Sequence, residues 1–257
     1  MQHFGDLAVD RYGTPDSRPP LVLLHALTYD RRQWTPLLRE LAAIDPNRQV
    51  LSLDLPGHGD SPGRDSYQSD EVAAAVHRAV TDAGLLAPVV VGHSLGAVIA
   101  TVYAATYRTR GVVNVDQPLL PGRFADVLRQ AEPVLRGPEY AEVWQAMLAG
   151  MHIDLLPAAA QELVRTATTV RQDLLLGYWN ELLETPLEEI NARRVRDVDA
   201  IRSRGIPYHY VAGGVPNEAY RSWLESALPE VAVTVLAGGG HFPHLAWPAE
   251  LAKILAG

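Results

Sequence analysis

Val89-Val90-Val91-Gly92-His93-Ser94-Leu95-Gly96 decides how the rest of the chain reads. A β-branched run leads into a serine that has glycine two residues before it and two after. A helical pattern follows, from Leu95 to Tyr107. Strand, G-x-S-x-G and helix in that order predict a sharp, strained turn that lifts the serine hydroxyl above the edge of a sheet. The flanking glycines leave room for strand and helix to approach each other. The turn also sets the Leu95 N–H at a helix start, where the positive dipole end can hold a developing oxyanion. Ser94 is therefore the candidate nucleophile.

A serine nucleophile needs a base, and the chain offers nine histidines. In an architecture of this kind the base follows the last strand. Gly238-Gly239-Gly240-His241-Phe242-Pro243-His244 follows the apolar run 231–236, so His241 is the candidate base, with His244 in reserve. His25, His58 and His93 lie beside the same loops and read as hydrogen-bonding braces.

Working outward, Leu21–Leu24, Val50–Leu53 and Val112–Val115 read as buried strands. Gln33–Ala43 and Ser69–Ala83 read as helices, with Ser69 a candidate N-cap. From about residue 122 to 189 no strand-like run occurs. Helical stretches fit 122–135, 138–150, 157–167 and 170–184, broken near Gly137-Pro138, Pro157 and Pro186. Alternation then resumes with a strand at 208–212, a helix at 217–227, a strand at 231–236 and a helix at 247–256. The reading is an α/β fold with a mostly parallel sheet covered by helices. Residues 1–120 and 190–257 form the core, and an all-helical cap, 121–189, is inserted after the strand at 112–115.

Taken together, these motifs resemble the α/β-hydrolase family. The resemblance is carried in order by Val22-Leu23-Leu24-His25-Ala26-Leu27, Asp54-Leu55-Pro56-Gly57-His58-Gly59-Asp60-Ser61, Gly92-His93-Ser94-Leu95-Gly96 and Gly240-His241-Phe242-Pro243. It implies an oxyanion hole formed by the N–H groups of Leu27 and Leu95. Ala26 stands where the family usually has a glycine. Asp54 and His58 match a motif that braces loops. Most members carry the triad acid after the strand corresponding to 208–212, but Gly213-Gly214-Val215-Pro216-Asn217-Glu218 offers only Glu218. Asp116, at the end of the preceding strand, is preferred over Glu218, because it points at the same histidine from the neighbouring strand. A displaced acid of this kind is similar to that of zearalenone-type lactonases, which the chain resembles over 206–254. It is also similar to that of cofactor-independent dioxygenases, which resemble it over 111–144 and at the His241 loop. The dioxygenases carry a histidine where this chain has Tyr29.

The expected activity is a serine hydrolase cleaving a carboxylic ester or lactone of an apolar small molecule through a Ser-His-Asp triad and an acyl-enzyme. The alternative is a non-hydrolytic enzyme on the same fold, either a cofactor-independent dioxygenase or an acyl-transfer cyclase. Ala26, Trp144, Met147, Tyr178 and Trp179 are candidate substrate contacts, although Trp144, Met147, Leu148 and Met151 also share the spacing of an ordinary helix core. Arg193, Arg194 and Arg196 read as a solvated face or hinge.

Composition narrows the alternatives. The 257 residues carry a formal charge of −8, from 30 acidic and 22 basic side chains, which argues against a nucleic-acid partner. The absence of cysteine excludes thiol nucleophiles, disulfides and thiolate metal sites. Lys253 is the only lysine, which excludes a lysine Schiff base at the motifs above. No metal or organic cofactor is expected. No apolar run approaches the ~20 residues that span a bilayer, and the N-terminal stretch has no leader pattern. A cytoplasmic location without membrane association is expected. No sequence feature specifies an oligomer.

Overall fold

The computed structural model describes residues 2–166 and 168–257. Strands β1 (Gln2–Phe4) and β2 (Leu7–Tyr12) open the chain, followed by β3 (Leu21–Leu24), helix α1 (Thr35–Ile44), β4 (Val50–Leu53) and α2 (Ser69–Asp82). Next come β5 (Val89–His93), α3 (Leu95–Thr106) and β6 (Gly111–Val115). Four helices follow: α4 (Arg123–Leu135), α5 (Tyr140–Gly150), α6 (Ala158–Thr166) and α7 (Gln172–Glu184). Then come α8 (Leu187–Ser203), β7 (Tyr208–Ala212), α9 (Glu218–Ala227), β8 (Ala232–Val235), the short α10 (Pro243–Ala246) and α11 (Pro248–Ala256).

One eight-stranded sheet runs in the order β1-β2-β4-β3-β5-β6-β7-β8. From β4 to β8 every pair is parallel, whereas β1–β2 and β2–β4 are antiparallel. The central strands read as unbroken apolar runs because helices cover both faces. Helices α2, α3 and α8 and the sheet side chains facing them form the larger core, and α1 and α11 pack together on the other face. The alternation predicted from sequence is present. The β1–β2 hairpin adds two antiparallel strands to the elements expected from sequence.

The four helices expected between β6 and β7 are found close to the anticipated spans, although position 167, the expected end of one of them, lies outside the described residues. Two local expectations are corrected. Ser69 is the first residue of α2 rather than its cap: Gln68 occupies the cap position, and its side chain makes no capping bond. The arginine-rich return at 193–196 is not a hinge but the middle of α8, a continuous helix that crosses residue 190 and packs on α3.

Candidate active site

The turn at Ser94 is built by close approach. A Cβ on Gly92 would lie 2.1 Å from the Gly96 carbonyl oxygen, and one on Gly96 would lie 2.3 Å from the Leu24 carbonyl oxygen. Only glycine lets β5, β3 and the start of α3 meet there. Ser94 itself adopts φ 52° and ψ −121°, backbone that a side chain rarely takes up and that the surrounding packing must enforce. Its hydroxyl donates a long hydrogen bond, 3.4 Å, to Gln117 Oε1.

Asp116 follows directly on β6, also at positive φ (54°), with its N–H donating to the Val211 carbonyl of β7. Its carboxylate is held at both ends. Oδ1 accepts from the Gly213 N–H at 2.9 Å, and Oδ2 accepts from His241 Nδ1 at 3.0 Å. Glu218 is exposed at the first turn of α9 and has no bond to His241. With Nδ1–H facing the carboxylate, Nε2 is the ring atom free to take a proton.

The loop after β3 is braced from three sides by neutral side chains. His25 Nδ1–H donates to the Ala26 carbonyl at 2.8 Å, while its Nε2 accepts from the Leu55 N–H at 2.9 Å. His58 Nε2 accepts from the Thr28 N–H at 3.1 Å, and its Nδ1–H donates to the Pro56 carbonyl. Gln33 Oε1 accepts from the Ala26 N–H. These bonds fix both residues flanking Leu27, whose own N–H bonds to no other described residue. Leu95, first in α3, likewise has an N–H without an intrahelical acceptor. Asp54 ties the same region together, accepting from the Arg31 and Asp60 N–H groups and from the Arg31 guanidinium. His93 lies behind His241: its Nε2–H donates to the His241 carbonyl at 2.6 Å.

His244 is fully buried between Trp34 and His93, and neither ring nitrogen has a hydrogen-bond partner. It is therefore not placed to serve as the base. Burial, with His241 nearby, pushes its pKa down to about 3. Burial also holds His58 and His93 well below the ordinary histidine value. The unfolded chain, in which such rings titrate near 6.5, then binds more protons than the folded one. Stability falls as pH drops below about 6.5, by up to about 1.4 kcal/mol per pH unit for each such ring. His244→Phe removes one of these groups without losing a hydrogen bond. Denaturant unfolding between neutral and mildly acidic pH is expected to show a shallower loss of stability for this variant. An unchanged slope would show that His244 does not contribute.

A cavity of about 590 Å³ opens over these residues, within the usual range for small-molecule sites. All five candidate substrate contacts, Ala26, Trp144, Met147, Tyr178 and Trp179, line it, as do Leu27, Ser94, Leu95, Asp116 and His241. Trp144 and Trp179 also pack with the inserted helices, so the helix-core reading and the wall reading both hold for them. Many wall residues escaped the sequence reading, among them three polar ones. Gln117 follows Asp116, and His152 sits in a left-handed turn after α5. The third, Arg194, is buried rather than solvated; only Arg196 of that trio is exposed. No sequence signal marks Gln117 or His152. Arg194 occupies a buried position of α8 shared with Ile190, Val198 and Ile201, a spacing that could have been noticed. Among the described residues, no group of three or more His, Cys, Asp or Glu side chains is placed to hold a metal, and no helix is long and apolar enough to cross a membrane.

Similar proteins agree with this geometry at the level of fold and family. A 2-succinyl-6-hydroxy-2,4-cyclohexadiene-1-carboxylate synthase of Enterobacter sp. (strain 638) is 27% identical over 249 residues, covering 93% of this chain and 90% of that protein. The sn-1-specific diacylglycerol lipase ABHD11 of Xenopus tropicalis is 31% identical over 122 residues, covering 48% of this chain and 35% of that protein. The solved structure of AqdC, concerned with recognition and ring-cleavage of the Pseudomonas quinolone signal, superposes with a TM-score of 0.78. That likeness is one of fold, at 18% identity over 97% of this chain and 94% of that one. The profile of the alpha/beta hydrolase family matches residues 21–254, nearly the whole chain, which therefore belongs to that family.

Proposed function

We propose that the protein is a serine hydrolase that cleaves a carboxylic ester or lactone of an apolar small molecule. The observation that carries this reading is the Asp116–His241 pair. One carboxylate oxygen meets ring Nδ1 at 3.0 Å and the other is pinned by the Gly213 N–H, on the wall of the cavity that also contains Ser94. His241 Nε2 takes the proton from Ser94 as Oγ adds to the substrate carbonyl. This requires the hydroxyl to turn from Gln117 toward the ring, a tightening expected once substrate is bound. The Leu27 and Leu95 N–H groups hold the tetrahedral oxyanion. Protonated His241, stabilised by Asp116, then gives its proton to the departing alkoxide. A water deprotonated by the same ring adds to the acyl-enzyme, and Ser94 leaves with that proton. The inserted helices act as a cap. The walls they supply, with Trp144, Met147, Tyr178 and Trp179, favour apolar groups over sugars or charged peptides.

Covalent trapping tests the reading. A fluorophosphonate is expected to add one phosphonyl group, mapped by peptide mass spectrometry to Ser94, and to abolish p-nitrophenyl ester hydrolysis. Failure of Ser94 to react, or oxygen uptake with a hydroxyquinolone in place of ester hydrolysis, would overturn it and favour chemistry of the dioxygenase kind.

A further inference from the structure

The cavity does not end on apolar residues. Its lining also includes Val98 and Ile99 of α3 and a polar corner made by Ser69, Glu181 and Arg194. The Arg194 side chain is 4% exposed, although guanidinium groups are costly to bury. Its Nη1 donates to Asp197 Oδ2 at 3.0 Å, and its Nη2 donates to Ser69 Oγ at 3.1 Å and reaches Glu181 Oε1 at 3.5 Å. The Ser69 hydroxyl donates in turn to Glu181 Oε2 at 3.3 Å. Glu181 Oε1 also receives Arg193 Nη1 at 3.1 Å, and Arg193 pairs with Glu189. Elements far apart in the chain, the start of α2, the end of α7 and the middle of α8, are thus brought to one point on the cavity wall.

As a purely structural brace the cluster would be a poor choice, since apolar residues of similar volume usually stabilise at least as well as buried ion pairs. The charges at the corner also limit what it can take. Arg193 and Arg194 already face Glu181, Glu189 and Asp197, so no unmatched cation calls for an anionic ligand. The arrangement instead offers a guanidinium donor beside a carboxylate acceptor. An alcohol hydroxyl can satisfy both, accepting from one and donating to the other.

We propose that this corner is a specificity subsite for a hydroxyl group on the substrate, remote from the bond that is cleaved. The proposal rests on the hydrolase reading above and narrows it to esters or lactones whose apolar skeleton carries a distal alcohol. From Leu95 to Ile99, α3 rises about 6 Å at 1.5 Å per residue, so several carbons separate the hydroxyl from the reacting carbonyl.

The test pairs p-nitrophenyl alkanoates of increasing chain length with their ω-hydroxy counterparts. In the wild-type protein the ratio of kcat/KM, hydroxy over plain, is expected to rise to about tenfold at one chain length, the scale of a hydrogen bond to a charged group. Arg194→Met is expected to return that ratio to within about twofold of unity. Because Arg194 is buried and its loss threatens folding, Ser69→Ala provides a milder perturbation, expected to reduce the ratio in the same direction. If both ester series are hydrolysed but the ratio stays flat, the subsite is refuted and the hydrolase reading stands. A larger gain with ω-carboxy esters would make the corner an anion site and likewise overturn the proposal. If no ester is hydrolysed, the hydrolase reading fails. Calorimetric binding of ω-hydroxyalkanoates and plain alkanoates then decides the subsite alone: about tenfold tighter binding of the hydroxy acid sustains it, and equal affinity removes it.

Discussion

Ser94→Ala is expected to lower kcat for p-nitrophenyl ester hydrolysis by about 10⁴- to 10⁶-fold while leaving the fold intact. The substitution removes Oγ but keeps Cβ, so the turn at φ 52° carries the same backbone constraint as before. Among the described residues the only hydrogen bond lost is the long one to Gln117, and a partly exposed site of this kind typically changes stability by no more than about 0.5 kcal/mol. Without Oγ no acyl-enzyme can form. What survives is the modest acceleration that an oxyanion hole and a binding cavity give to direct attack by water. Steady-state kinetics beside a thermal melt separate the two effects. Retention of more than about a tenth of the activity would assign the chemistry elsewhere.

Asp116→Asn is expected to cost about 10⁴-fold in kcat, and Glu218→Gln no more than about twofold. The asymmetry follows from the two bonds of Asp116. An asparagine there keeps its amide oxygen on the Gly213 N–H and turns its NH2 toward His241 Nδ1. Nδ1 must then accept, the ring proton moves to Nε2, and the imidazole can no longer accept a proton from Ser94. The geometry survives while the tautomer is wrong. Glu218, exposed on the first turn of α9, can influence the ring only through solvent. The opposite pattern in the two variants would move the acid to the loop after β7.

The contrast between Ser94 and Arg194 indicates what the sequence could reveal. The turn at Ser94 is local: glycines two residues either side of it state the close approach that the backbone needs, and neighbouring residues supply strand and helix. The inserted helices are legible for the same reason, since their apolar spacing and the prolines between them are read within a few residues. The order of strands in a parallel sheet favours Asp116 over Glu218 without deciding between them, and the contact with His241 is seen only in the fold. Helix α8 was missed because an arginine occupies one of the positions its buried stripe requires, alongside Ile190, Val198 and Ile201. Its partners, Ser69 and Glu181, come from other helices, and no local window contains them. Similarly, Gln117 reads as an ordinary loop residue until the turn at Asp116 places it against Ser94. Residues positioned by backbone constraint announce themselves, whereas those positioned by tertiary meeting do not.

The parallel register of β5 and β6, which pairs His93 with Val115, has a further consequence. It sets Ser94 and Asp116 on adjacent strand ends, so their spacing is governed by the sheet's own ladder and owes little to the helices inserted between β6 and β7. The loops beside Leu27 and His241, by contrast, touch the inserted segment directly: the Thr169 N–H donates to the Thr28 carbonyl, and Met151 lies against Gly240. Remodelling the insertion would thus leave the Ser94–Asp116 interval in place while reaching the two neighbouring loops at once.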